Sequence, residues 1–422
     1  MKKCRLPYGN RFLTVRMPEG LRVTELKSQH IAGLKNPGEA ITRSLRSPLA
    51  SPPLKERLHS ADKVVVIVTD NTRACPDSQL LPPILAELET VIPKENITII
   101  VALGLHAPLT QDQLVKKLGK RITKSYSVIN HDADDTVNIG ITSRGIPVNI
   151  NRKVVEADFR LSTGFIEPHF FAGYSGGRKS IFPGVSGHQS IQINHGYEMV
   201  AHPMSRTGIL RGNPIHEDMV EQARIAKLNF IVNVLLNKQK EITHVVAGDP
   251  FIAHEKGCEI EAEIATVRVD RKFDIVVTTN SGAPLDLDFY QTCKGIENAS
   301  RITREGGIII IAAACDTGIG PDSFKNLHVE ADTPQEVLNR IKSEGPIGVQ
   351  WQNQVLARVQ LSNPVYLVSE LEASLAEKMK VTPFPSVESA LENALLVLGN
   401  KAEIALIPEG PLVLPILEGW LC

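Results

Sequence analysis

The densest run of chemically capable residues is Gly164-Phe165-Ile166-Glu167-Pro168-His169-Phe170-Phe171-Ala172-Gly173-Tyr174-Ser175-Gly176-Gly177-Arg178-Lys179-Ser180-Ile181-Phe182-Pro183-Gly184. Closely spaced glycines let backbone N–H groups approach an anion, and a helix starting behind them would add the positive end of its dipole. That points to a phosphate-bearing ligand, while a glycine-rich surface turn is the plainer reading. A nucleoside triphosphate is disfavoured, because the Gly-Lys step of a P-loop is replaced by Arg178-Lys179.

Histidines gather in the same region: His169, His188, His195, His202 and His216, with His106 upstream beyond a predicted strand. Imidazole can shuttle a proton near neutral pH or ligate a borderline metal. No H-E-x-x-H pair occurs, which excludes a zincin helix. His131, His188 and His202 read as loop or solvent positions. A third group, Asp70-Asn71-Thr72-Arg73, follows a strand-like run, where parallel sheets present ligand-binding loops. Arg73 suits the two-pronged grip of a carboxylate, although Asp70 as a helix cap and Arg73 as a surface charge is the blander alternative. Further on, Tyr290, Gln291 and Lys294 open a helix, and Trp351 stands among amides, either as packing or as the wall of a pocket.

These residues need elements to hold them. Lys63–Val68 and Ile97–Leu103 are β-branched runs separated by a helix-like 80–91 stretch, and 273–279, 287–302 and 307–313 repeat the order. Strand, helix, strand predicts parallel sheets flanked by helices. The fold class is α/β in two domains, with the active site in the cleft between them. The expected division is 1–268 and 269–406, with a charged connection over 259–272 and an apolar tail, 407–422, packing back on the first domain. A chain of 422 residues is long enough for two cores.

Lys plus Arg (46) balances Asp plus Glu (47), so no field of one sign is available to hold nucleic acid or an anionic membrane. Six cysteines stand singly, without C-x-x-C spacing, which speaks against a disulfide framework or a Cys-rich zinc site. No run reaches the roughly 20 apolar residues of a membrane span, and the opening residues do not read as a secretory signal; a cytoplasmic protein is expected.

Taken in order, these segments resemble the nickel-dependent lactate racemase family over essentially the whole chain. Asp70, Thr72, Arg73 and Pro76 meet its Asp-x-Thr-Arg-x-x-Pro pattern, and His106 its strand-end histidine. The run from Pro168-His169 to Lys179 meets its cofactor segment, Asn194-His195-Gly196 its later histidine, and Tyr290-Gln291-x-x-Lys294-Gly295 with Trp351 completes the set. The resemblance implies a nickel pincer nucleotide, pyridinium-3-thioamide-5-thiocarboxylic acid mononucleotide, joined to Lys179 and supplied by separate maturation proteins. It implies His195 as the metal ligand, Asp70, Thr72, Ser175, Gly176 and Gly177 beside the cofactor, and His106 and His169 as the two catalytic bases. Arg73, Tyr290, Gln291, Lys294 and Trp351 would meet a small 2-hydroxy acid, inverted at C2 through a 2-keto acid by proton-coupled hydride transfer. Two other readings stay open on the residues alone: a zinc hydrolase using His106, His169 and His195 directly, and a protein that binds a phosphorylated ligand without turnover.

Overall fold

The computed structural model describes residues 2–18 and 20–418. Its first large sheet runs edge to edge through Ile242–Gly248, Phe230–Leu236, Phe159–Phe165, Val64–Thr69, Ile97–Ala102 and Ser127–Asn130. Only the Ile242–Gly248 edge is antiparallel to its neighbour. The unbroken apolar character of the central strands follows from burial on both faces. Val64, Val66 and Val68 join one core with Leu80, Ile84 and Leu88 of the helix Asp77–Leu88, whereas Val65 and Ile67 join another with Ile181 and Val185. Each such residue, taken fully out of water, contributes about 1.5–3 kcal/mol.

The second sheet runs through Thr382–Pro383, Val365–Val368, Thr303–Ala312, Phe273–Thr279, Glu403–Ile407 and Arg22–Glu25, all parallel. It has the same two-sided logic: Val276, Ile309 and Ile311 face one core, and Ile275, Ile308 and Ile310 the other. The chain is therefore a two-domain α/β protein with helices flanking mostly parallel sheets.

Three expectations about the edges change. The opening residues, placed by sequence with the first domain, belong to the second sheet. Arg22–Glu25 pairs with Glu403–Ile407, and the hairpin Lys2–Tyr8/Arg11–Met17 packs Leu6, Val15 and Met17 onto Ile308 and Ile310. The charged 259–272 stretch is no linker: Ile252–Ala265 is a helix whose Cys258, Glu261 and Ala265 are buried at helical spacing, and Thr266–Val269 is a strand. The apolar tail bridges the halves. Its strand Leu414–Leu417 pairs with Thr266–Val269, Leu414 covers Gly208, and Val413 packs in the second domain's core. Residues 419–422 of that tail lie outside the described residues.

One topological feature fixes where a ligand sits. From Val64–Thr69 the chain winds outward through Ile97–Ala102 to Ser127–Asn130, then returns to the other side of the starting strand as Phe159–Phe165. Loops leaving these two neighbouring strands diverge, and the crevice between them is the switch point where open α/β sheets bind ligands. Asp70 to Arg73 leave one strand and Ile166 to Lys179 leave the other, so the sequence motifs converge.

Candidate active site

A cavity of about 550 Å³ opens at this switch point and is closed on its far side by the second domain. Every residue that the family resemblance assigns to cofactor, metal, catalysis or substrate lines it: Asp70, Thr72, Arg73, His106, His169, Ser175, Gly176, Gly177, Lys179 and His195 from one half, Tyr290, Gln291, Lys294 and Trp351 from the other. His216 does not; it lines a separate cavity with Arg178 and His254. The second domain reaches in because Asp288 caps the helix Phe289–Ser300, its Oδ1 accepting the Gln291 N–H at 2.7 Å. The side-chain amide of Gln354 also crosses to the Tyr197 carbonyl at 2.8 Å.

Asp70 is no helix cap; the helix starts seven residues later. It is buried, and its carboxylate accepts the Thr72 N–H at 2.8 Å, the Thr72 hydroxyl, and His106 Nδ1 at 2.6 Å. Although burial opposes ionisation, the bonds from His106 and Thr72 and the Arg73 charge hold this carboxyl far below the usual range. A carboxylate only accepts, so His106 carries a hydrogen on Nδ1, and Nε2 is the ring atom left to exchange a proton with a ligand. His169 is held in the opposite sense. Its Nδ1 accepts the Ala172 N–H at 3.3 Å, leaving the hydrogen of the neutral ring on Nε2. Burial first, then the Lys179, Lys294 and Arg73 charges, push the His169 imidazole well below its ordinary value.

His195 is buried, and its Nδ1 lies 2.9 Å from Asn194 Oδ1. The amide orientation follows from its other end, where Asn194 Nδ2 donates to buried Asp218 at 2.7 Å. His195 Nδ1 is therefore the donor, and Nε2 keeps its lone pair, the arrangement that orients metal-ligating histidines. Burial above all pushes the His195 imidazole well below its ordinary value. Phe171 and Trp351 meet it edge-on, each with ring centroids 5.0 Å away.

The Lys179 ammonium is pushed well below the lysine range by burial, then by Arg178, Arg73 and Lys294, against the opposing Glu167 carboxylate. An amine and an imidazole both pushed toward their free-base forms suit covalent attachment of a cofactor at Lys179 and soft or borderline metal ligation at His195, so these residues fit the implied group. The three-histidine zinc reading does not fit. Among the described residues no three His, Cys, Asp or Glu side chains converge to hold a metal.

The glycine-rich run behaves differently from a phosphate cradle. The Gly177 N–H goes to Asn233 Oδ1 at 2.7 Å and the Ser175 N–H to the Glu167 carbonyl at 2.9 Å, so both donors turn inward. No α-helix follows, only the 3₁₀ turn Gly177–Ser180. Glycine is required at 176 and 177 because φ is +77° and +53° and a Cβ would meet Asn233 and His254 within 2.7 Å. His131 is likewise no solvent position. It is buried, with Nε2 at 3.0 Å from the Ser186 carbonyl, whereas His188 and His202 are exposed.

Sequence reasoning passed over Phe171, whose ring touches His169, His195 and, at 5.9 Å, the Lys179 amine. It also passed over Glu167, the carboxylate among the cations. Both lie inside the motif; a phenylalanine carries no reactive signature, and a lone glutamate gives no sign in sequence that cations will surround it.

Residues 8–208 match the family model of the lactate racemase N-terminal domain, and residues 269–414 that of the lactate racemase C-terminal domain. The lactate racemase of Thermoanaerobacterium thermosaccharolyticum is 36% identical over 419 residues, covering 97% of this chain and 98% of that protein. That of Lactiplantibacillus plantarum is 36% identical over 420 residues, with 96% and 97% covered. The solved structure of the Thermoanaerobacterium thermosaccharolyticum lactate racemase apoprotein superposes with a TM-score of 0.92 at 35% identity, covering 98% of this chain and all of that one. Two domain models in order and near-complete alignment leave no other assignment: the chain belongs to the lactate racemase family of isomerases.

Proposed function

We propose that the protein inverts C2 of a small 2-hydroxy acid of the lactate type, using a nickel pincer nucleotide held by Lys179 and His195. The observation that carries this reading is the pair of imidazoles, His106 and His169, in one cavity with two carboxylate-binding cations, Arg73 and Lys294. A protein that only bound a phosphorylated ligand would need neither base. The C2 hydrogen beside an ionised carboxylate is a very weak acid, since its removal as a proton would build a second negative charge. Supplying a hydride acceptor for it is the chemistry the nucleotide brings when bound.

The chain's residues do the rest. Arg73 and Lys294 grip the carboxylate, and Gln291 holds Lys294 through a 2.7 Å bond from the ammonium. His106, with Nε2 free, takes the hydroxyl proton from one side, and His169 serves the other. Trp351 donates its indole N–H to the Tyr290 hydroxyl at 3.3 Å, and the pair walls the pocket against water. Thr72, Ser175, Gly176 and Gly177 line the cavity where the nucleotide would be held, and Asp70 would act on it only through Thr72 and His106. The division near residue 268 leaves the tether, both bases and Arg73 in one half and the second carboxylate contact, Lys294, in the other. Separate maturation proteins supply the cofactor, and the cytoplasm is its place of work; among the described residues no helix is long and apolar enough to cross a membrane.

The test is racemisation of one lactate enantiomer in deuterated water by protein produced together with the maturation enzymes. The product should keep its original C2 hydrogen; deuterium entering C2 on each turnover would overturn hydride transfer. A second expectation concerns pH. Burial, followed by the Arg73 charge, pushes the Lys294 ammonium down to about 8. Above that pH the cation is lost, so kcat/KM for an anionic substrate should fall, approaching about tenfold per pH unit. Lys294→Arg should remove that limb, and a wild-type profile flat to pH 9.5 would show that Lys294 does not carry the charge.

A further inference from the structure

We propose that the protein carries a second ligand site, separate from the catalytic cavity, that takes a small organic anion, a phosphate or carboxylate on an apolar body, between Arg206 and Arg358 at the junction of the two domains. The proposal does not depend on the reaction assigned to the first cavity.

The cavity in question measures about 680 Å³, larger than the catalytic one, and shares no lining residue with it. That size lies within the roughly 300–1,000 Å³ of sites that enclose small organic ligands. Both halves of the chain build it. Arg206 and Ile209 come from the first, Glu297, Arg301 and Arg358 from the second, and Leu414 from the strand that joins them. Two helices reach both cavities: Phe289–Ser300 brings Lys294 to the first and Glu297 to the second, and Gln350–Ser362 brings Trp351 to the first and Arg358 to the second. A ligand here rests on the elements that hold the substrate contacts.

The charges around this space do not balance. Among the described residues that line it, the cations Arg206, Lys272, Arg301 and Arg358 outnumber the carboxylates Glu297 and Glu305. Glu297 is already engaged. It is buried, accepts the Thr207 hydroxyl at 3.3 Å and lies 3.7 Å from Arg301 Nε, while Arg301 also donates to the Thr207 carbonyl at 3.1 Å. The guanidiniums of Arg206 and Arg358 are half-buried and have no hydrogen bond or ion pair among the described residues. Burial lowers the Arg358 guanidinium from its ordinary value; the Glu297 charge works against that, and the Arg206 charge works with it, as two cations facing one space should. Taking a guanidinium out of water without a partner is costly, and an anion with several oxygens satisfies both forks at once. Met204, Ile209, Val359 and Leu414 face the same space, so the ligand needs an apolar body beside its charge.

The test titrates full-length apoprotein with phenyl phosphate, benzoate, phenol and inorganic phosphate by calorimetry, and repeats this in R73Q/K294Q, whose catalytic cavity has lost its own anion contacts. One equivalent of phenyl phosphate or benzoate should still bind that variant with a dissociation constant below about 1 mM, the tighter of the two identifying the anionic group. Phenol and inorganic phosphate should each bind at least about tenfold more weakly, because each lacks one half of the recognition. R206Q and R358Q should each weaken binding about tenfold, and R358K, which keeps the charge, should lose less than R358Q. In wild type the ligand should slow amide hydrogen exchange across 203–209 and 414–417, a reading that stands even where a variant fails to fold. Exchange unchanged in those segments, a folded R73Q/K294Q that binds neither anion, or an affinity unmoved by R206Q and R358Q overturns the proposal. So does binding that appears only when the chain is cut after Glu418, because residues 419–422 would then be the occupant.

Discussion

Lys179→Met is expected to abolish racemisation while the protein stays folded and at its unmodified mass in cells that make the cofactor. Methionine matches the reach of the lysine stem and keeps its contact with the Phe171 ring, so the cavity retains its shape. What disappears is one nitrogen. Because the hard chemistry belongs to the group that nitrogen anchors, the loss should be at least about 10⁴-fold, beyond the 10²–10⁴ that a missing acid or base costs. Thermal stability gives an independent reading. The wild-type amine is buried among Arg178, Arg73 and Lys294, so removing it should leave the apoprotein melting no lower than wild type. Lys179→Arg separates size and polarity from attachment, since it keeps a long nitrogen-bearing side chain without a nucleophilic amine and should be equally inactive. Intact mass and a racemisation assay decide the matter, and a Lys179→Met enzyme with more than a hundredth of wild-type activity would refute the tether.

The parts of this protein that were legible in sequence share one physical property, that their pattern is local. Val64–Thr69 and Phe273–Thr279 announce themselves because a strand covered on both faces must be apolar throughout, and a six- or seven-residue window contains that whole signal. The site motifs are legible for a related reason, as each loop leaves one strand and keeps its reactive residues in order. Arg22–Glu25 was not legible. It is a partly exposed four-residue edge strand, and its partner lies about 380 residues away at Glu403–Ile407. Nothing in RVTE distinguishes pairing with one sheet from pairing with the other. The glycine-rich run misled for a different reason. Sequence shows that glycine is needed but not on which side, and here the crowding side chains are Asn233 and His254, within the protein. Phe171 was invisible because a phenylalanine touching three functional groups is spelled like one in a core.

The second large effect concerns the two bases. His106→Gln and His169→Gln should each lower kcat by about 10²–10⁴-fold while leaving the Lys179 adduct in place. The double variant should lose little more than either single one. A racemase must take the proton on one side of the carbon and give it back on the other, so both imidazoles serve every turnover and their losses do not add. Full multiplication of the two losses would mean that they act in separate reactions, and a tenth of wild-type kcat surviving in either single variant would remove that residue from the mechanism. The structure also says why His169 is not a base at rest. Its Nε2 carries the hydrogen, and the Lys179, Lys294 and Arg73 charges oppose a second proton. A bound carboxylate offsets Lys294 and Arg73, so substrate binding should raise the His169 imidazole toward its ordinary range, making it able to accept and release a proton only when there is a substrate to turn over. The ¹⁵N shifts of His169, followed by NMR in the loaded enzyme with and without a 2-hydroxy acid, should titrate at higher pH when the acid is bound. A titration that stays put between the two states would leave His169 without its proposed switch, whatever the kinetics of the glutamine variant.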